Sequence, residues 1–182
     1  MFIQTEPTPN PATLKFLPGR QVMPQGTADF TSAEKAAPSP LATRLFGVDG
    51  VTAVFLGADF VTVTKQEGHD WQNLKPMILG AIMEHYTSGV PVIHTVALDS
   101  LNDGDDDEIV AQIKELIETR VRPVVARDGG DIVFRGFENG VVYLHMQGAC
   151  SGCPSSSMTL KNGIENMLRH FVPEVRLVEA VT

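Results

Sequence analysis

Cysteine is scarce in this chain: Cys150 and Cys153 are the only two among 182 residues. Two are too few for a disulfide scaffold. In a reducing compartment a CxxC pair is more often metal-binding or redox-active. Positive charge is also short. Lys and Arg number 14 against 22 Asp and Glu, a formal net charge of −8. That argues against nucleic acid as a partner, because its binders carry a basic excess to neutralise phosphates. No apolar run approaches the length of a membrane span, so no membrane partner is expected. The opening "MFIQTEPTPNPATLKF" lacks a basic n-region, an apolar h-region and an Arg-rich amphipathic leader. The chain as it stands is expected to be a finished cytosolic protein or a mature one already trimmed. Walker loops, GxGxxG and a Ser/His/Asp order are absent too, so no enzyme class is suggested.

What is present is the composition of an ordinary globular protein, long enough for one large or two small domains. The pattern favours two, in an α+β arrangement. In the first half, Phe2-Ile3 and Leu14 to Phe16 suit short strands around a Pro-rich turn, and residues 18 to 40 read mostly as loop. "SPLATRLFGVDG" predicts a short helix with Ser39 as N-cap, Pro40 in its first turn, and Gly47 or Gly50 at its end. "VTAVFLGADFVTVTKQ" predicts a hairpin around Gly57 to Asp59. "HDWQNLKPMILGAIMEHYTSG" predicts a helix capped by Asp70, with Trp71, Leu74, Ile78 and Ile82 at helical spacing and Trp71 as a core anchor. This domain is expected to span residues 1–90.

Residues 91–107 lose periodicity and turn acidic, which predicts a flexible linker. An EF-hand reading of Asp103 to Asp107 fails, because the sixth position of that loop must be Gly and here is Glu108.

Residues 108–182 predict a second domain ordered helix-strand-strand-helix-strand. Ile109, Ile113, Leu116, Ile117 and Val121 give the first helix an apolar face, and Pro123 is placed to kink it. "DGGD" stops the helix. Asn139-Gly140 is a two-residue turn signal between two alternating arms, with Ile132, Phe134 and Phe137 on one and Val142, Leu144 and Met146 on the other. A helix carrying Met158, Leu160, Ile164 and Leu168 follows, then a last strand in "PEVRLVEAV".

The CxxC lies between strand and helix, at the start of the domain's second helix. A c-type haem site fails, because Pro154 stands where His is required. A mononuclear zinc site wants four ligands, and His145 and His170 are not at finger spacing. A thioredoxin-type dithiol at a helix start remains open, as does a zinc-linked dimer. The small residues Gly148, Ala149, Ser151 and Gly152 keep the backbone open, and Pro154 suits the first helical position without losing a donor. The N–H groups of Ser155 to Ser157 and the helix dipole should favour anionic sulfur there, by about 0.3–1 kcal/mol per charge. Iron–sulfur clusters usually take four thiolates. One chain supplies two, so two chains across a two-fold axis would complete a site. Asp128 and Asp131 are read as helix cap and turn rather than paired catalytic acids, and Lys161 as a solvent-facing lysine.

These residues resemble a known family. "RPVVARDGGDIVF", "YLHMQGACSGCPSSSMTLKNGIENML" and "PEV" resemble the C-terminal domain of NifU and the Nfu iron–sulfur carriers. "TEPTPNPATLKF" through "WQNLKPMI" resembles the N-terminal domain that accompanies it. The resemblance implies a homodimer bridged by a [4Fe–4S] cluster, or alternatively a [2Fe–2S] cluster, held by Cys150 and Cys153. The cluster would come from an upstream assembly scaffold and pass to apo-enzymes, with partner recognition in the first domain. The short start, without a transit peptide, tilts the expected location toward a bacterial cytoplasm, with the mitochondrial matrix as the alternative for a mature eukaryotic form.

Overall fold

The structure is a computed structural model, and it describes residues 2–94, 107–151 and 154–181. The chain divides into two compact units, Met1–Asp99 and Ser100–Thr182, each with its own apolar core. Both mix helix and sheet, so the α+β, two-domain class holds.

The first unit is built on an antiparallel sheet ordered β1-β2-β5-β4-β3. Its strands are β1 (Gln4–Pro7), β2 (Thr13–Leu17), β3 (Ala28–Phe30), β4 (Val51–Leu56) and β5 (Val61–Lys65). Two helices accompany it, α1 (Pro40–Phe46) and α2 (Trp71–Ser88). Alternation explains the core: Phe16, Val54, Leu56, Val61 and Val63 turn to one face and meet Leu41, Leu45, Leu74, Ile78 and Ile82. The other face is not left polar. Phe55 and Phe60 pack there with ring centroids 5.9 Å apart, and Thr62, paired with Phe55, is 1% exposed.

Several sequence expectations change here. The first strand begins at Gln4 rather than Phe2, because pairing with β2 starts at Gln4 opposite Leu17. Residues 18–40 are mostly loop as expected, with the short β3 pairing to the edge of β4. Ser39 caps α1 as expected, its Oγ accepting from the Ala42 amide at 3.1 Å. Asp70 sits at the N-cap of α2 but makes no side-chain cap bond. Trp71 is half-buried rather than central, and its Nε1 donates to the Pro11 carbonyl at 3.2 Å, tying α2 to the β1–β2 turn.

The unit also runs past residue 90. Ser39 Oγ donates to the Val92 carbonyl at 2.6 Å, and the His94 amide donates to the Pro38 carbonyl at 2.8 Å. A boundary at 90 would therefore cut hydrogen bonds that belong to the first unit. The expected linker's residues 95–106 lie outside the described residues.

The second unit carries α3 (Glu108–Leu116), a π turn (Ile117–Val121), α4 (Arg122–Arg127), β6 (Gly130–Glu138), β7 (Val141–Gly148), α5 (Pro154–Phe171) and β8 (Leu177–Val181). Pro123 does not produce a simple kink. The backbone widens by one turn just before it, and the Arg122 amide bonds the Ile117 carbonyl five residues back. Proline has no N–H and its ring collides with the carbonyl four residues earlier, so widening relieves both. The wider turn also keeps Ile113, Ile117, Val121 and Val125, spaced four apart, on one buried face, and leaves Val124 out.

β6 and β7 form a hairpin through Asn139 and Gly140, whose φ angles of 53° and 82° make a left-handed pair. A bulge between Phe134 and Gly136 adds a residue, so Phe134 and Phe137 both pack on the core despite their odd spacing. β8 lies parallel to β7, and α5 supplies the crossover. Ile164 and Leu168 of α5 are buried. Met158, expected on that face, is 67% exposed. Six residues before Ile164 is about 120° off the buried stripe at 3.6 residues per turn.

Candidate metal centre

The loop from β7 to α5 carries the first cysteine. Gly148, with φ of 62°, ends β7, and the chain turns at once. The Ala149 amide donates to the Gly129 carbonyl at 3.2 Å, and the Ser151 amide to the Gly148 carbonyl at 3.1 Å. The first bond ties the loop to the α4–β6 turn, and the second closes the turn on itself. Gly152 and Cys153 lie outside the described residues. The backbone resumes with Pro154 as the first residue of α5, at the position a proline suits.

Cys150 is 7% exposed and belongs to the second core. Its Sγ lies against Gly130, the first residue of β6. A Cβ at 130 would collide with that sulfur, and would also come within 2.9 Å of the Gln147 carbonyl and 3.0 Å of the Cys150 amide. The absence of a side chain at 130 is therefore what makes room for the sulfur.

The electrostatics run against the sequence expectation for this thiol. The helix N-terminus should favour anionic sulfur, yet burial, followed by the carboxylates of Asp128 and Asp131, pushes the Cys150 thiol up to about 12. Binding a metal at this position requires the thiol to lose its proton.

Asp131 is also more than a turn residue. Its side chain is 4% exposed, and Arg122 holds it with both arms, Nε to Oδ1 and Nη2 to Oδ2, each at 2.9 Å. Oδ1 further accepts from the Ile132 amide at 2.8 Å. Arg122 reaches Glu118 as well, at 2.6 Å. Sequence reading missed Arg122 and Gly130, because their contacts depend on how α4 packs against the start of β6. The available signal was an acidic residue entering a strand whose next residue, Ile132, is fully buried.

The other expected bystanders stay so. His145 Nδ1 lies 3.2 Å from the Val181 carbonyl in the β7–β8 pair. His170 packs edge-on against Phe171. Asp128 closes α4. Lys161 is half-buried rather than fully solvent-facing. Among the described residues, no three metal-ligating side chains converge.

The second unit is an α-β-β-α-β unit with the cysteine pair between a strand and the start of a helix, and residues 113–179 match the family model described as NifU-like domain. Residues 3–89 match the model described as scaffold protein Nfu/NifU N terminal. The chain belongs to the Nfu family. It is 56% identical over its whole length to a Drosophila ananassae protein named NFU1 iron-sulfur cluster scaffold homolog, mitochondrial, covering 64% of that protein. It is 56% identical to the Arabidopsis thaliana NifU-like protein 4, mitochondrial, with 98% of this chain and 65% of that one covered. The chain thus spans somewhat less than two thirds of the length of these relatives. A solution NMR structure of a NifU-like protein from Saccharomyces cerevisiae covers 52% of this chain and 85% of its own, at 28% identity and a TM-score of 0.47.

Proposed function

We propose that the chain is an iron–sulfur cluster scaffold or carrier and not an enzyme. It takes a cluster on Cys150 and Cys153, receives it from an upstream assembly scaffold, and passes it to apo-enzymes. The observation that carries this reading is the cysteine pair itself, set at the β7–α5 loop of a NifU-like domain. The name of the Drosophila relative, iron-sulfur cluster scaffold homolog, supports it.

The cluster is cargo, and its chemistry fits the donors. Iron–sulfur clusters are held by thiolates, usually four. One chain has two cysteines, so the reading includes a second copy that completes the set as a homodimer. A [4Fe–4S] cluster is the form proposed, with [2Fe–2S] as the alternative. The first unit, which contains no cysteine, is assigned to partner recognition, and the carrier domain to residues 108–182. The relatives' names are mitochondrial, which accords with the mitochondrial matrix.

The dithiol oxidoreductase alternative is weakened by one feature of the site. Such an enzyme needs a first cysteine with a depressed pKa, and the Cys150 thiol is pushed the other way. The zinc-linked dimer is separated by experiment. Anaerobic reconstitution with iron and sulfide should give a brown protein absorbing broadly near ~400 nm, the cysteinate–iron charge-transfer region, and Mössbauer spectra with an iron and sulfide count assign the cluster. A colourless protein that takes zinc but no iron and sulfide overturns the reading.

A further inference from the structure

The sheet of the second unit turns Ile132, Val142, Leu144 and Val178 toward the core. A sheet whose other face is wet alternates apolar-in and polar-out. This one does not. Val133, Val141, Tyr143, Leu177 and Val181 stand on the outer face, and none of them belongs to the core. We infer that this face pairs with the same face of a second copy of the chain, related by a two-fold axis parallel to the strands. The inference goes beyond the carrier reading and does not rest on it.

Strand register sets the charges. Pairing puts Gly136, Tyr143 and Glu179 in one row across β6, β7 and β8. The bulge after Phe134 adds Arg135 at the Gly136 end of that row, because two residues of a bulged strand oppose one on its neighbour. Phe134 and Phe137, on either side, pack on the core. Arg135 and Glu179 therefore flank Tyr143 from opposite edges of the sheet, two strands or about 10 Å apart. Both are exposed, and neither has an ion-pair partner among the described residues.

An axis parallel to the strands lays β6 of one copy over β8 of the other. Arg135 of each copy then meets Glu179 of the other, with the two Tyr143 rings between the pairs and Val133 facing Val181 in the next row. An axis across the strands would set Arg135 on Arg135 and Glu179 on Glu179, and like charges juxtaposed across an interface are costly. The outer face is thus its own complement in one orientation, which is what a two-fold contact requires. The face is also small. Three strands about 4.8 Å apart and five residues long at about 3.3 Å each cover on the order of 250 Å². A stable interface takes about 800 Å² per partner, so pairing through this face is weak and reversible.

The test is sedimentation equilibrium of the reduced full chain with a chelator present, so that neither disulfide nor metal joins two copies. Between about 10 μM and about 1 mM the mass should rise from monomer toward dimer, the weak range that a below-standard interface area implies. A monomer throughout overturns the proposal. Glu179→Arg places like charges at both contacts and should weaken pairing by on the order of fivefold; unchanged pairing overturns the proposal. Adding Arg135→Glu restores opposite signs, and pairing should return to within about twofold of the original, as coupled positions do in a double-mutant cycle. A double variant as weak as Glu179→Arg alone also overturns the proposal. Both positions are exposed, and circular dichroism checks that the variants are folded. Iron and sulfide play no part here, so failure of pairing leaves the carrier reading standing, and failure of cluster binding leaves the pairing standing.

Discussion

Arg122 and Asp131, nine residues apart, meet through two hydrogen bonds of 2.9 Å each, with the carboxylate almost wholly buried. Burial of Asp131 is tolerable because the guanidinium fork satisfies both oxygens and the Ile132 amide adds a third bond. Removing Arg122 takes away the two bonds and the opposite charge that compensate most of the buried carboxylate. Arg122→Ala should therefore destabilise the second unit by about 3 kcal/mol, the lower end for a broken buried pair, because Arg122 itself is partly exposed. Urea unfolding of the variant checks it. A change within 0.5 kcal/mol, about the ordinary surface effect, would show that the pair is idle.

Cluster binding should need both cysteines. Replacing either Cys150 or Cys153 with Ala leaves two thiolates per pair of chains, too few for a four-thiolate site. The fold should survive. Stoichiometric iron and sulfide in the Cys153→Ala protein would contradict the assignment.

Cluster and pairing should be linked. A ligand that binds only the paired state stabilises pairing by mass action. Cluster-free protein should sediment as monomer or as a looser dimer, and loaded protein as dimer. Analytical ultracentrifugation under argon measures this. One cluster per monomer without a mass change removes the shared site.

The first unit should weaken in mild acid. His85 is fully buried on α2, with neither ring nitrogen in hydrogen-bonding geometry to a partner among the described residues. Burial, and then the charge of Arg44, lower its pKa, against a smaller opposing pull from the Val90 backbone nearby. Unfolded, the ring titrates near its ordinary value of about 6.5. Below that value the unfolded chain binds a proton that the folded one refuses, so stability present above about pH 6.5 is lost as pH falls toward the lowered folded value. Trp71, the only tryptophan, sits on the same helix and reports this unit's urea unfolding. His85→Leu should flatten the profile between pH 5 and 7, and an unchanged slope would place the titration elsewhere.

Residues 108–182 expressed alone should fold, dimerise and assemble a cluster, since their core is their own. Transfer to clients should be slower or less selective than from the full chain. Equal rates across several clients would remove the recognition role of the first unit. A piece that fails to fold would put the boundary elsewhere than Asp107.

Much of this protein is decided by local rules that a sequence displays. Ser39-Pro40 starts α1, Asn139-Gly140 turns the β6–β7 hairpin, and alternation along Val61 to Val63 and Val142 to Met146 marks the core faces, because each depends on residues a few positions apart. The cysteine pair and its place between strand and helix were legible for the same reason. Periodicity misled where a local rule met a longer one. Pro123 widened a turn instead of kinking the helix, since Val125 had to stay on the face of Ile117 and Val121. Met158 resembled a core residue in composition but lies off the buried stripe. Only tertiary structure decided the surroundings of the cysteine. Cys150 Sγ lies against Gly130, and the next residue, Asp131, is held by Arg122 from α4. Sequence displays the ligand; contacts between residues far apart in the chain determine what surrounds it.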